Sequence, residues 1–130
     1  MTTTTPPTDP SLNTVTWWEI PVADLDEAAR FYPAVFGWTV APFGDGYLAV
    51  NLGDRMIGGL FASSEEPAGG GVRIYVNVAD LEQVLAAATA AGGTVITPRT
   101  LIAEGMGWWA ELADPSGRRL GLCSDRDAGA

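Results

Sequence analysis

The sequence predicts an α+β domain made of two βαβββ modules, and three observations carry that prediction. The tetrapeptide Val22-Ala23-Asp24-Leu25 returns as Val78-Ala79-Asp80-Leu81, an offset of 56 residues. Both copies sit between an extended, β-prone segment and a run with helical start signals. Both helical runs then give way to three short β-prone runs parted by turn residues. At 130 residues and 47% hydrophobic content the chain is one globular domain's worth, long enough to bury roughly two thirds of its unfolded surface.

From the N-terminus, Met1 to Ser11 is a Thr/Pro-rich stretch with neither a basic region nor an apolar run, which predicts a flexible polar tail over residues 1–13 rather than a leader. The first strand follows as Val15-Thr16-Trp17-Trp18-Glu19-Ile20. Asp24 caps the helix behind it, with Glu27 three residues on at capping-box spacing. Pro33 falls inside that helix, where its missing N–H predicts a kink or an early end near Tyr32. Runs at Trp38 to Val40, Tyr47 to Leu52 and Met56 to Phe61 complete a module over residues 14–62, with turns at Gly44-Asp45-Gly46 and Gly53-Asp54.

A linker over residues 63–71 contains Glu65-Glu66-Pro67 and Gly69-Gly70-Gly71. Without lysine or a helix start behind it, that glycine run is no phosphate loop. The second module, residues 72–124, opens with Val72 to Asn77. Asp80 and Gln83 repeat the cap, Leu81, Val84, Leu85 and Ala88 form an apolar stripe, and Gly92-Gly93 stops the helix. Runs at Thr94 to Ile96, Trp108 to Leu112 and Arg119 to Cys123 follow, with Asp114-Pro115-Ser116-Gly117 as a turn and residues 125–130 as a C-terminal tail.

Composition narrows the chemistry. Seven basic against sixteen acidic residues give a net charge of −9, so nucleic acid is excluded as an expected partner for want of a basic face. No apolar run reaches the roughly 18 residues of a membrane span. The chain has no histidine and no lysine, which removes histidine bases, imidazole ligands and Schiff-base lysines. Cys123 is the only cysteine, which excludes an internal disulfide and fits a reducing, cytoplasmic setting.

The pattern resembles the vicinal oxygen chelate superfamily of glyoxalases, bleomycin-resistance proteins, extradiol dioxygenases and fosfomycin-resistance enzymes. Val22-Ala23-Asp24-Leu25 leading to Phe31-Tyr32-Pro33-Ala34-Val35-Phe36-Gly37-Trp38, and Asp114-Pro115-Ser116-Gly117-Arg118-Arg119-Leu120, carry the resemblance. It implies paired modules forming an incomplete barrel with a concave ligand cleft, and a homodimer. In metal-using members the ligands stand seven residues before each helix-start aspartate and seven after the aspartate of the late turn. Here those positions are Trp17, Arg73 and Gly121, and indole, guanidinium and glycine give a divalent ion no donor. No metal and no other cofactor is expected.

Strand alternation then assigns the cleft lining. Ile20 and Val22 belong with the helix, which turns Trp17 and Glu19 inward, and the same alternation selects Arg73, Tyr75 and Asn77, Trp109 and Glu111, and Gly121 followed by Cys123. Trp18 reads as core and Trp38 as core or dimer contact, and a one-residue slip would exchange Trp17 and Trp109 for Trp18 and Trp108. Gly121 is expected to leave room for a guest. Arg73 either meets a carboxylate or carbonyl of the guest or pairs with Glu19; Glu111 is either a working carboxylate or a solvated rim charge. Cys123, with no basic neighbour in sequence, reads as an inert core residue.

Indoles and a phenol rimmed by an arginine and two carboxylates suit a planar aromatic guest. The first expectation is therefore metal-independent binding and sequestration of a small aromatic natural product, with no catalytic residue. The alternative is a metal-independent lyase, isomerase or cyclase using Glu19 or Glu111 as acid or base.

Overall fold

The computed structural model of the chain describes residues 9–64 and 71–128. They form β1 (Thr14–Val22), α1 (Leu25–Phe36), β2 (Thr39–Pro42), β3 (Tyr47–Leu52), β4 (Arg55–Ala62), β5 (Arg73–Asn77), α2 (Leu81–Ala90), β6 (Thr94–Leu101), β7 (Trp108–Ala113) and β8 (Arg119–Ser124). The fold is thus α+β with the βαβββ order twice. It divides into two compact units, Trp17–Ile74 and the chain from Tyr75 onward joined by the N-terminal segment up to Thr16. Among the described residues no helix is long and apolar enough to cross a membrane.

In the first unit the strand order is β2-β3-β4-β1, with β1 parallel to β4 and the other neighbours antiparallel. Asp24 accepts from the Glu27 N–H at 3.1 Å and opens α1, whose acidic first turn complements the helix dipole. Ala28, Val50 and Leu60 are buried beneath it with Trp18, Ile20, Val22, Tyr32 and Trp38 against them. The early end expected near Tyr32 does not occur: α1 runs through Pro33 to Phe36 and closes on Gly37 at φ 72°, whose N–H bonds the Pro33 carbonyl. Ring packing over this turn offsets the hydrogen bond that proline removes. Tyr32 and Phe36 stack on Trp38 at centroid distances of 5.9 and 4.6 Å, and Trp18 closes the set at 5.3 Å.

In the second unit the order is β5-β8-β7-β6, with β5 parallel to β8. Asp80 accepts from the Gln83 N–H at 3.0 Å. Leu81 and Leu85 of α2 join Val78, Ala110, Leu112 and Leu122 in one core, the stripe that the helical spacing predicts. β6 is longer than the expected Thr94 to Ile96, because its ladder with β7 slips twice, at Val95/Thr97 and Thr97/Thr100, and so absorbs Pro98 on an edge strand. At the late turn the Asp114 carboxylate accepts from the N–H groups of Ser116 and Arg118 and from the Ser116 hydroxyl.

Part of the expected N-terminal tail is built into the fold. The backbone N–H and hydroxyl of Ser11 donate to the Asp9 carboxylate, Asn13 takes φ 63°, and its N–H donates to the Asn77 carbonyl at 2.6 Å. Residues 1–8 of that tail, 65–70 of the linker and 129–130 of the C-terminal tail lie outside the described residues.

Two outcomes follow from these caps. Asp80→Ala leaves an orphan N–H at the α2 start and is expected to lower the urea-unfolding free energy by about 1 kcal/mol. The bonds from Ser116 and Arg118 hold the Asp114 carboxyl below its usual value, so its contribution is present above the unfolded value and lost as pH falls through the folded one. The stability gap between the protein and Asp114→Asn should therefore close as urea melts are moved from about pH 6 to about pH 3.

Candidate functional site

Each sheet has a face away from its helix. In the first unit Trp18, Ile20, Leu48 and Leu60 pack on the α1 side, so alternation turns Trp17, Glu19, Tyr47, Gly59 and Phe61 the other way. Register agrees, with Glu19 opposite Gly59 and Tyr47 opposite Phe61. On this face the Trp17 indole N–H donates to the Tyr47 hydroxyl oxygen at 3.1 Å, and the Tyr47 O–H donates to Glu19 Oε2 at 2.7 Å. All three side chains are half-buried. The Arg73 guanidinium lies over the Phe61 ring, 4.9 Å from its centroid. That placement is a cation–π contact, which sequence did not anticipate.

Tyr47 is held there by a missing side chain. A Cβ on Gly59 would collide with the phenol end of Tyr47, and one on the preceding Gly58 would collide with the Trp18 indole, so β4 runs between two aromatic side chains. Sequence reading missed Tyr47 and Phe61. The signal was Gly58-Gly59 in the middle of a β-prone run, since paired glycines inside a strand mark close approach of another group.

In the second unit Trp108, Ala110, Leu112, Leu120 and Leu122 face α2, which places Trp109, Glu111, Gly121 and Cys123 on the opposite face. Tyr75, Gly121 and Glu111 are neighbours in one cross-strand row, and Asn77, Cys123 and Trp109 in the next. The space above Gly121 is not free for a guest, contrary to expectation: the Tyr75 ring lies where a side chain at 121 would begin. Glu111 is not a solvated rim charge either. It is 7% exposed, with Arg119 at 4.0 Å. Asn77 ties down the N-terminal segment, its side-chain N–H donating to the Ser11 hydroxyl at 2.9 Å.

Cys123 Sγ lies 3.5 Å from Thr16 Oγ1. Burial raises the thiol pKa, against a smaller lowering by the Thr16 bond, which keeps it protonated and unreactive at neutral pH. An open depression of about 440 Å³ lies against α1, lined by Pro21, Asp24, Glu27, Phe31 and Tyr32 among others. Its lining includes Asp24, the residue that caps α1.

Neither face fits a divalent metal. At the three positions where metal-using relatives carry ligands, the Trp17 indole is engaged by Tyr47, Arg73 is a cation, and the Tyr75 ring covers Gly121. Among the described residues, no three His, Cys, Asp or Glu side chains are grouped to hold an ion.

Gly121→Ala forces the Tyr75 ring off β8 and is expected to cost about 1–3 kcal/mol in urea unfolding, as overpacked sites do. Iodoacetamide should alkylate Cys123 in the folded protein more slowly than it alkylates glutathione at the same pH.

A glyoxalase-like domain family model matches residues 17–123. The "Putative glyoxylase CFP32" of Mycobacterium tuberculosis is 35% identical over 112 residues, 80% of this chain and 41% of that protein. A "Glyoxylase-like domain-containing protein" of Didymella fabae is 30% identical over 83 residues, 58% of this chain and 65% of that protein. The chain thus spans less than two thirds of the length of either relative. Among solved structures, the Mn(II)-bound glyoxalase of Novosphingobium aromaticivorans aligns with TM-score 0.65 at 21% identity, covering 92% of this chain and 41% of that one. A glyoxalase/bleomycin resistance protein/dioxygenase superfamily member of Vibrio splendidus aligns with TM-score 0.60 at 21% identity, covering 86% and 100%. With the doubled βαβββ order and the match over residues 17–123, the chain belongs to the glyoxalase-like domain family, within the vicinal oxygen chelate superfamily.

Proposed function

We propose that this chain binds a small planar aromatic molecule without a metal ion and releases it unchanged, as an antibiotic self-resistance protein does. The observation that carries the reading is the fixed indole of Trp17, hydrogen-bonded to Tyr47 and through it to Glu19 at 3.1 and 2.7 Å. Its N–H is spent within the protein, so its π-face is what a guest meets. An aromatic guest gains about 0.5–1.5 kcal/mol from such a ring beyond area burial, and a rigid, prepositioned ring loses little entropy on binding. Glu19 and Arg73 of the same unit complete the proposed ligand-contacting set around Trp17. The net charge of −9 attracts basic guests. The same reading takes the protein as a cytoplasmic homodimer whose partner is the small molecule.

A second reading has one observation in its favour. The Tyr47 O–H bonded to Glu19 at 2.7 Å is a phenol–carboxylate pair able to pass a proton, as a metal-independent lyase, isomerase or cyclase requires.

Tryptophan fluorescence titration against planar aromatic natural products, with each ligand recovered and analysed, separates the two. Binding predicts quenching, intact ligand, an affinity unchanged by prior dialysis against EDTA, and roughly tenfold weaker binding by Trp17→Ala. Altered ligand whose formation stops in Glu19→Gln establishes the second reading instead. Quenching that requires added divalent metal contradicts both.

A further inference from the structure

Resting on the aromatic-ligand reading of the Trp17 face, we propose that the Arg73 guanidinium recognises a carboxylate carried on one edge of the planar guest. The protein itself shows what a ring-bound arginine pairs with. In the second unit Arg99 lies over the Trp108 ring, 5.2 Å from its centroid. Its edge is filled by oxygen: Nε and Nη2 donate to the Glu82 carboxylate at 2.9 and 2.7 Å, and Nη1 donates to the Arg126 carbonyl at 2.9 Å. Arg73 stands over Phe61 at a similar 4.9 Å and is likewise half-buried. Among the described residues, however, its guanidinium has no carboxylate or carbonyl partner.

A guanidinium stays charged at physiological pH and carries its N–H donors in a planar fork that matches a carboxylate. An aromatic face attracts the charge but gives those donors no lone pair. A guest carboxylate supplies to Arg73 what Glu82 supplies to Arg99. The fork also lies within reach of the stacking ring. Phe61 is two residues along β4 from Gly59, against which the Tyr47 phenol rests beside the Trp17 N–H, and that step is about 7 Å. A fused-ring guest on the Trp17 indole therefore brings an edge substituent to Arg73, and all of these residues belong to the first unit. Glu19, the carboxylate on the same face, repels the guest's own and so fixes which end of it meets Arg73. The net charge of −9 acts at longer range, where salt screens exposed charges beyond about 8 Å. A carboxylate guest that also carries a basic group keeps the long-range attraction as well.

Three planar probes test this: 2-anthracenecarboxylate and 2-anthracenecarboxamide, which share a ring system and differ in the charge of one edge, and 9-aminoacridine, which has no carboxylate. By tryptophan fluorescence titration at physiological salt the protein should bind the anthracene carboxylate about tenfold more tightly than the carboxamide. In Arg73→Gln that ratio should fall to parity or below, and Arg73→Lys should restore part of it, as a point charge without the fork does. Both variants are checked for an unchanged melting transition. On the unaltered protein, adding the carboxylate should shift the Arg73 Nε–H resonance in a ¹H–¹⁵N spectrum and leave that of Arg99 in place. Equal binding of carboxylate and carboxamide, a ratio that survives Arg73→Gln, or an unmoved Arg73 resonance overturns the carboxylate proposal, while bound 9-aminoacridine leaves the aromatic reading intact. Failure of all three probes to bind removes both proposals.

Discussion

Where a strand has no side chain, a ring can lie flat on it, and that constraint sets what this fold presents away from its helices. Gly58 and Gly59 point to opposite faces of β4, one against the Trp18 indole and the other against the Tyr47 ring. Gly121 of β8 receives Tyr75 in the same manner. A methyl group at any of these sites would occupy the volume of the ring. The strands that pair in parallel with β1 and β5 are therefore thin where the aromatic side chains are thick, and sheet and rings fill one another's space.

From that packing the rest follows by alternation. A helix on one side of each sheet claims Trp18, Ile20 and Leu60 in the first unit and Ala110, Leu112 and Leu122 in the second. The residues between them have only the other face available. Tyr47, held down by Gly59, reaches both Trp17 and Glu19 and converts a flexible indole and a flexible carboxylate into one fixed chain. Where metal-using relatives place ligand side chains, this sequence places aromatic and cationic ones, and the Tyr75 ring takes the volume a ligand at position 121 would need. The preserved scaffold thus carries a surface of different chemistry, in keeping with sites being grafted on folds rather than dictated by them.

The fold was legible because its signals are local. Asp24 and Asp80 announce helix starts through their own spacing to Glu27 and Gln83, and the 56-residue repeat carries each signal twice. Alternation likewise separated Trp17 from Trp18 and Trp109 from Trp108 without knowledge of contacts. What sequence could not give were relations between strands distant in the chain: Tyr47 against Gly59 and Glu19, Tyr75 against Gly121, Arg73 over Phe61. Each depends on register, which composition does not encode. Pro33 misled for a related reason, since its local penalty is outweighed by the stack of Tyr32, Phe36 and Trp38, a tertiary term. The Asn77 amide adds a bond to Ser11, 66 residues away in the chain, that no local signal announces.

The most direct measurement is a ¹H–¹⁵N titration of the five indole N–H resonances with 9-aminoacridine in protein freed of metal by EDTA. A guest stacked on the fixed indole shifts the Trp17 resonance by ring current while Trp18 and Trp38, in the core under α1, stay in place. Shifts confined to the core tryptophans, or shifts that emerge only when a divalent metal is restored, would contradict a metal-free aromatic site on the Trp17 face.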